Sequence, residues 1–215
     1  MATNQLALYN IALVAVGERI ISSLTEDREP RRLLDEIWSR GTGAITAALE
    51  QGLWNHAMRA VQIDASASVD PAFGYANAFD KPTDFVRLAQ ISAGEYFTEP
   101  LTRYEFEAAY IYADVDPIYV RYVSDNASYG NDLSLWPDSF TLWFGHWLAI
   151  QIAPSVINDV KMEALEKRTK RLLAEARSRD ASQEPPRFAP LGSWNRARRG
   201  GGGARDRGSR SQLIG

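Results

Sequence analysis

Few residues of this chain combine type and spacing in a way that does chemistry, and each such group has a plainer reading beside it. The two histidines, His56 and His146, lie about ninety positions apart. His56 stands among Trp54, Asn55 and Met58, and His146 between Trp143 and Trp147. Both read as structural, because a metal site draws several ligands at recognisable spacing. There is no cysteine, which removes thiolate metal sites, disulfides and cysteine nucleophiles. The run DNASYGND (Asp125 to Asp132) resembles a calcium loop, but Ala127 and Tyr129 occupy positions where an EF-hand needs oxygens. A polar turn is expected there. Asp114 and Asp116 would be an acid–base pair on the hydrolase reading. In a turn before Pro117, Asp is favoured for bonding local backbone instead. Gly200 to Gly203 precede Ala204 and Arg205, without the Lys and Ser/Thr of a phosphate loop. No Ser-His-Asp grouping is suggested. No catalytic, cofactor or metal site is expected, and the chain does not read as an enzyme.

The remaining chemistry is in the C-terminal tail. Residues 187–215 carry seven arginines against the single acid Asp206, a net +6, so the rest of the chain carries −9 to give −3 overall. An acidic body with a basic tail suggests docking on an acidic or phosphate-bearing partner. Three readings fit: a flexible solubilising end, a nucleic-acid tail, or an interaction arm. As a nucleic-acid tail, the arginines would neutralise phosphates in a salt-dependent way. Only Phe188 and Trp194 are present to stack on bases, and no RGG period is visible. As an arm, Trp194, Leu213 and Ile214 would fill pockets on a partner. Arg196, Arg198, Arg199, Arg205, Arg207 and Arg210 would pair with its acids.

These groups must be positioned by a chain of 215 residues, enough for one large domain or one domain with an appendage. The 45% hydrophobic and 11% aromatic content indicates a globular body. The N-terminal stretch MATNQLALYNIALVAVGER has no basic start, and polar residues interrupt it. An amphipathic helix is expected, with neither a signal peptide nor a membrane span. The absence of cysteine suits a reducing cytoplasm.

Helix one starts at Thr3 or Asn4, with Leu6, Tyr9 or Asn10, Leu13, and Val16 or Gly17 on one face, and Gly17 stops it. A connector follows, with Ile20, Ile21 and Leu24 touching the core. Pro30 begins helix two, with Glu26, Asp27 and Glu29 at its favourable end. Leu34, Ile37, Trp38, Ile45, Ala48 and Leu49 form its stripe, and Gly41 and Gly43 weaken its middle by about 1 kcal/mol each.

The stretch Leu49 to Ile91 holds the switch from helix to strand. The alternating run MRAVQI follows there, and then Phe73, Tyr75, Phe79 and Phe85 sit around the turn prolines Pro71 and Pro82, rings expected to anchor irregular backbone. Strands are expected over Met58–Ile63, Phe85–Ile91, Phe106–Tyr112 and Ile118–Val123. The last two read as a hairpin about Asp114 to Pro117. Helix three starts near Pro137 with Phe140, Trp143, Phe144 and Trp147 in register, and Pro154 breaks or kinks it. Helix four covers 155–179 with Val156, Val160, Leu165, Leu172 or Leu173 and Ala176 inward. It carries the pairs Glu163–Lys167 and Glu166–Lys170, and its charged face allows it to project. The expected class is α+β: a helical domain from 1–56 and 134–180, a β-rich antiparallel insertion over 57–133, and an extended arm over 181–215.

The runs LEQGLWNHAMRAVQI, PAFGYANAFDKPTDFVRLAQI and EYFTEPLTRYEFEAAYIYADVDPIYVRYVS are similar to the tail tubular protein A family. These are the head-to-tail adaptors, also called connectors or gatekeepers, of short-tailed T7-like bacteriophages. The likeness begins at LYNIALVAVGERIISSLTEDREPRRLLDEIW and continues through LWPDSFTLWFGHWLAIQIA into the Arg/Gly tail, covering nearly the whole chain. It rests on the order and spacing of many ordinary residues. The resemblance implies a structural virion protein at the head–tail junction, made and assembled in the host cytoplasm. It implies a dodecameric ring between the portal protein and a tail nozzle of the tail tubular protein B type. DNA would pass through the channel during ejection without sequence-specific binding. The family's portal-reaching C-terminal segment corresponds to Ser193 to Gly215 here, and thus to the arm residues named above. The β portion, remote from the tail, is expected to face the nozzle. A nucleic-acid-binding module using the Arg/Gly tail is the alternative, and a hydrolase using Asp114 and Asp116 a third class.

Overall fold

Asn4 begins the first helix by accepting the Ala7 N–H on its side-chain oxygen at 2.8 Å, which satisfies one of the free donors of the first turn. In the computed structural model, which describes residues 4–69, 71, 74–98, 100–156 and 159–183, this helix (α1) spans Gln5–Val16. Gly17 ends it in a left-handed conformation, φ 84°. The Gly17 and Glu18 N–H groups then return to the Val14 and Leu13 carbonyls at 3.1 and 2.8 Å, a glycine-terminated cap. The connector behind it buries Ile21 and packs Leu24 at the core edge, whereas Ile20 stands 55% exposed, against expectation. Ile21 is held because Asn10 clasps its backbone, accepting its N–H at 2.9 Å and donating to its carbonyl at 3.0 Å.

The expected second helix is two helices. Helix α2 spans Glu29–Ser39 with Pro30 in its first turn, and α3 spans Ala44–Leu49. Arg40 is extended, and Gly41 and Gly43 sit at φ 62° and 95°. The two glycines therefore turn the chain rather than merely weakening a helix, since left-handed backbone costs glycine little. Leu34 and Ile37 of α2 and Ala44, Ala48 and Leu49 of α3 still reach one core.

A single 3-10 turn, Asn55–Ala57, leads into strand β1, Met58–Ile63. The β region forms two antiparallel three-stranded sheets. In the first, β6 (Ile118–Ser124) lies between β1 and β3 (Phe85–Ser92). In the second, β5 (Tyr110–Ala113) lies between β2 (Asn77–Asp80) and β4 (Tyr104–Glu107). Two expectations fail here. The single strand Phe106–Tyr112 is a tight β4–β5 hairpin, turned at Ala108 with φ 46°. The hairpin joining β5 to β6 does not form, because Asp114 to Pro117 carries the chain from one sheet to the other. Alternation reports which face a strand buries and is silent on its partner. Ile111 and Ala113 on β5 are buried, as are Ile118, Val120, Tyr122 and Val123 on β6.

Of the four rings expected as anchors, Phe79 is buried on β2, and Phe85 stacks on Tyr122 at 5.3 Å. Tyr75 stacks on Tyr112 at 6.5 Å. Phe73 lies outside the described residues. Helix α4, Asp138–Val156, runs two residues past Pro154. Its Phe140, Trp143, Phe144, Leu148 and Ile152 are buried in the helical core. Trp54 lies 4.7 Å from Phe140 and 5.6 Å from Trp143, so helices and sheet junction share one aromatic cluster. Helix α5, Asp159–Ala181, does not project. It returns along α4 and buries Leu165, Thr169 and Ala176. Glu163 and Lys167 pair at 2.7 Å as their spacing predicts. The α+β class is observed, with five helices and two small antiparallel sheets among the described residues.

Candidate functional site

Helix α1 is apolar all round, QLALYNIALVAV, and such a helix calls for cover on every side. The core takes Leu8, Tyr9, Ala12, Leu13 and Val16. The opposite side keeps Ile11 and Val14, and Val14 is 64% exposed. With Leu142 of α4 and the first half of α5, that side encloses an open groove of about 860 Å³. Leu142 is 39% exposed there. Lys161 and Arg168 of α5 supply the charge, and no carboxylate lines the groove among the described residues. Neither cation is paired with a described carboxylate. The groove is thus an apolar channel with a cationic rim.

His146 forms part of its floor, with Nδ1 2.9 Å from the Leu142 carbonyl. Burial lowers its pKa, the Leu142 carbonyl opposes that shift, and the Arg168 charge adds to it, so the ring is neutral at pH 7. His56 is elsewhere in the core, 4.7 Å from the Phe140 ring and 6.2 Å from that of Trp136. Neither of its ring nitrogens has a hydrogen-bond partner among the described residues. Burial pushes its pKa down to about 4.

Asp114 accepts the Ala76 N–H at 3.2 Å and pairs with Arg103 at 3.0 Å, while Asp116 accepts the Ala65 N–H at 3.0 Å. The two carboxylates therefore tie loops to the turn between the sheets. Along the loop after β6, Asp125 accepts from Thr46 at 3.1 Å, Asn126 from the Ser128 N–H at 3.0 Å, and Asp132 from the Ser134 N–H at 3.0 Å. The bonds from Ser134 hold the Asp132 carboxyl below its usual range. Among the described residues, no group of three or more His, Asp or Glu side chains is placed to hold a metal ion. No described helix is long and apolar enough to cross a membrane.

Sequence reasoning missed a polar node at Asp84. Its carboxylate accepts from Arg59 at 2.7 Å, from the Tyr122 hydroxyl at 2.9 Å, and from Ser124. Burial alone would raise the Asp84 pKa; the bonds from Ser124, Arg59 and Tyr122 bring it below its usual value. The node locks β1 and β6 to the start of β3, beside the helical core. It has no local signal, since its partners come from distant parts of the chain.

The arm residues Trp194, Arg196, Arg198, Arg199, Arg205, Arg207, Arg210, Leu213 and Ile214 lie outside the described residues, as do Gly200 to Gly203. Compared with protein-family models and with curated proteins, the chain gives no match to either.

Proposed function

We propose that this chain is a head-to-tail adaptor of a short-tailed bacteriophage, similar to tail tubular protein A. Copies of it would form a ring, a dodecamer by that likeness, between the portal protein and the tail nozzle. DNA would pass through its channel without being read. The observation that carries the proposal is the ordered resemblance along nearly the whole chain, from Leu8 to the Arg/Gly tail. Two physical features support it. The charge division, +6 on residues 187–215 and −9 on the rest, suits a basic tail that docks on an acidic or phosphate-bearing partner. The apolar side of α1 suits a subunit that is covered by neighbours in an assembly.

In this reading the arm, Trp194 to Ile214, binds the portal. Trp194, Leu213 and Ile214 anchor it, and the arginines pair with acids or bound phosphates. Many linked arms give avidity far above that of one. The β sheets face the nozzle. No step of this function is catalytic.

The test mixes full-length protein, or residues 1–183, with the phage's own portal ring and weighs the products by native mass measurement. Addition of a ring of subunits by the full-length chain alone supports the adaptor and its docking arm. The Arg/Gly composition favours one second reading, a nucleic-acid-binding module. Absence of portal binding by either form, with salt-dependent DNA binding by the full-length chain, would establish that reading instead.

A further inference from the structure

The groove on α1, α4 and α5 has a counterpart at the far end of the sheet region. Strand β3 starts against the helices, where Arg87 donates to the Glu50 carbonyl at 2.9 Å and Val86 packs on the helical core. It ends at Ser92, opposite Tyr119. Eight residues of strand carry the chain roughly 25 Å away from the helices.

Beyond Ser92 the backbone makes a built turn. The Gly94 N–H bonds the Ser92 hydroxyl at 3.1 Å, the Phe97 N–H bonds the Gly94 carbonyl at 3.2 Å, and Gln90 donates to the Phe97 carbonyl at 2.9 Å. Phe97 is held at φ 54°, a conformation a non-glycine residue adopts at a cost. The turn displays Glu95 and Tyr96 at its tip. Tyr96 is 79% exposed, and Glu95 is exposed with no cationic partner among the described residues.

We propose that this tip is the key for the groove: Tyr96 of one copy seats between α1 and α4 of the next copy, and Glu95 pairs with Lys161 and Arg168 at the rim. The inference rests on the ring reading above and assigns its subunit contact. Charge complementarity selects the occupant. The groove is apolar with two cations that have no carboxylate partner among the described residues, and the tip is an aromatic beside an acid that has no cationic partner among them. The chain's own tail is a poor occupant, because its net +6 is repelled by Lys161 and Arg168. The tip of the same copy is held away from its own groove by the length of β3. Two different patches on one chain, each complementary to the other, give a head-to-tail contact, the kind that closes into a ring. A tyrosine in an apolar pocket with a flanking ion pair has the composition of an interface hot spot.

The absence of cysteine makes the test clean. Full-length Ala93→Cys and full-length Ala7→Cys place single thiols on the tip and on the groove wall without touching Tyr96 or Glu95. The two proteins are mixed, concentrated alone and in the presence of the portal ring, and treated with a short bismaleimide. The expected result is a covalent pair of one copy of each, at least tenfold above a mixture of Ala93→Cys with Ser39→Cys. Tyr96→Ala weakens self-association at least tenfold, and Glu95→Lys does likewise. Combining Glu95→Lys with Lys161→Glu and Arg168→Glu restores it. Oligomers that form without the selective link, and are indifferent to Tyr96→Ala, overturn this contact and leave the ring intact. Cross-linking of the groove thiol to the portal, or to residues 184–215, also overturns it. A chain that stays monomeric under every condition removes the ring reading and this contact with it.

Discussion

The Asn55 backbone N–H donates to both carboxylate oxygens of Asp180, at 3.1 and 3.2 Å, and the Asn55 side-chain amide donates to the Asp180 carbonyl at 2.8 Å. A carboxylate in the last turn of a helix faces the negative end of its dipole, so Asp180 needs such donors. The pair fastens the end of α5 to the turn that leads into β1. Asp180→Ala should lower stability by about 1–3 kcal/mol in urea unfolding, the cost of leaving the Asn55 donors without partners. Hydrogen exchange should speed up over the last turn of α5 and around Asn55 more than elsewhere. Uniform exchange along the chain would show that the fastening is not local.

Gly145 sets how closely α1 approaches α4. A Cβ there would lie 2.7 Å from Ile11 Cβ and closer still to its Cγ2. Gly145→Ala has better helix propensity, yet it must push α1 outward, and overpacking of this kind costs about 1–3 kcal/mol. Ile11 also lines the groove, so the same substitution should weaken self-association beyond its effect on folding. Gly145→Ala combined with Ile11→Ala should recover most of the lost melting temperature.

The Asp84 node predicts a substitution cost and a pH window. Asp84→Asn removes the charge that Arg59, Tyr122 and Ser124 address, and should cost about 2–3 kcal/mol at pH 7. The folded carboxyl titrates below its unfolded value of 3.8. Its stabilisation is therefore complete above about pH 4 and lost as pH falls through the lowered pKa. Wild type and Asp84→Asn should converge in stability only at strongly acid pH. Arg59→Met should cost less, because that side chain is 34% exposed.

Helical periodicity was enough to read α1, α4 and the buried side of α5, since Tyr9, Leu13, Phe140, Trp143 and Leu165 repeat at helical spacing and all are buried. The break between α2 and α3 was legible only in part: Gly41 and Gly43 were visible, but their positive φ was not. The β4–β5 turn had no mark at all, because left-handed Ala108 stands where glycine or asparagine is the usual signal. The pairing of β5 and β6 with different sheets, and the Asp84 node, depend on partners tens of residues away. Local pattern carries no trace of such distances. The groove was hidden for another reason. None of its residues is chemically unusual, and α1, expected to be amphipathic, has apolar residues on nearly every side.

His56 gives the sharpest pH prediction. Its ring is enclosed by Trp54, Trp136 and Phe140, and burial pushes its pKa down from 6.5 to about 4. Between those values the unfolded chain binds a proton that the folded chain refuses, so stability rises with pH across this window. The contribution is fully present above about pH 6.5 and is lost progressively as pH falls toward 4, a total of about 3 kcal/mol. This loss precedes the one from Asp84, which begins only as pH falls below about 4, so the two groups separate on the pH axis. His56→Leu keeps an apolar side chain of similar bulk and removes two nitrogens that have no partner among the described residues. Its stability at pH 7 should lie within about 1 kcal/mol of wild type, because deleting unpaired buried polar atoms offsets imperfect packing. Between pH 6.5 and 4, the unfolding free energy of His56→Leu from urea titrations should fall by about 3 kcal/mol less than that of wild type. His146, also lowered by burial, leaves a smaller slope that both proteins share. Parallel pH profiles for wild type and His56→Leu would mean that His56 takes its proton in the folded state at an ordinary pKa, with its ring nitrogens reaching water.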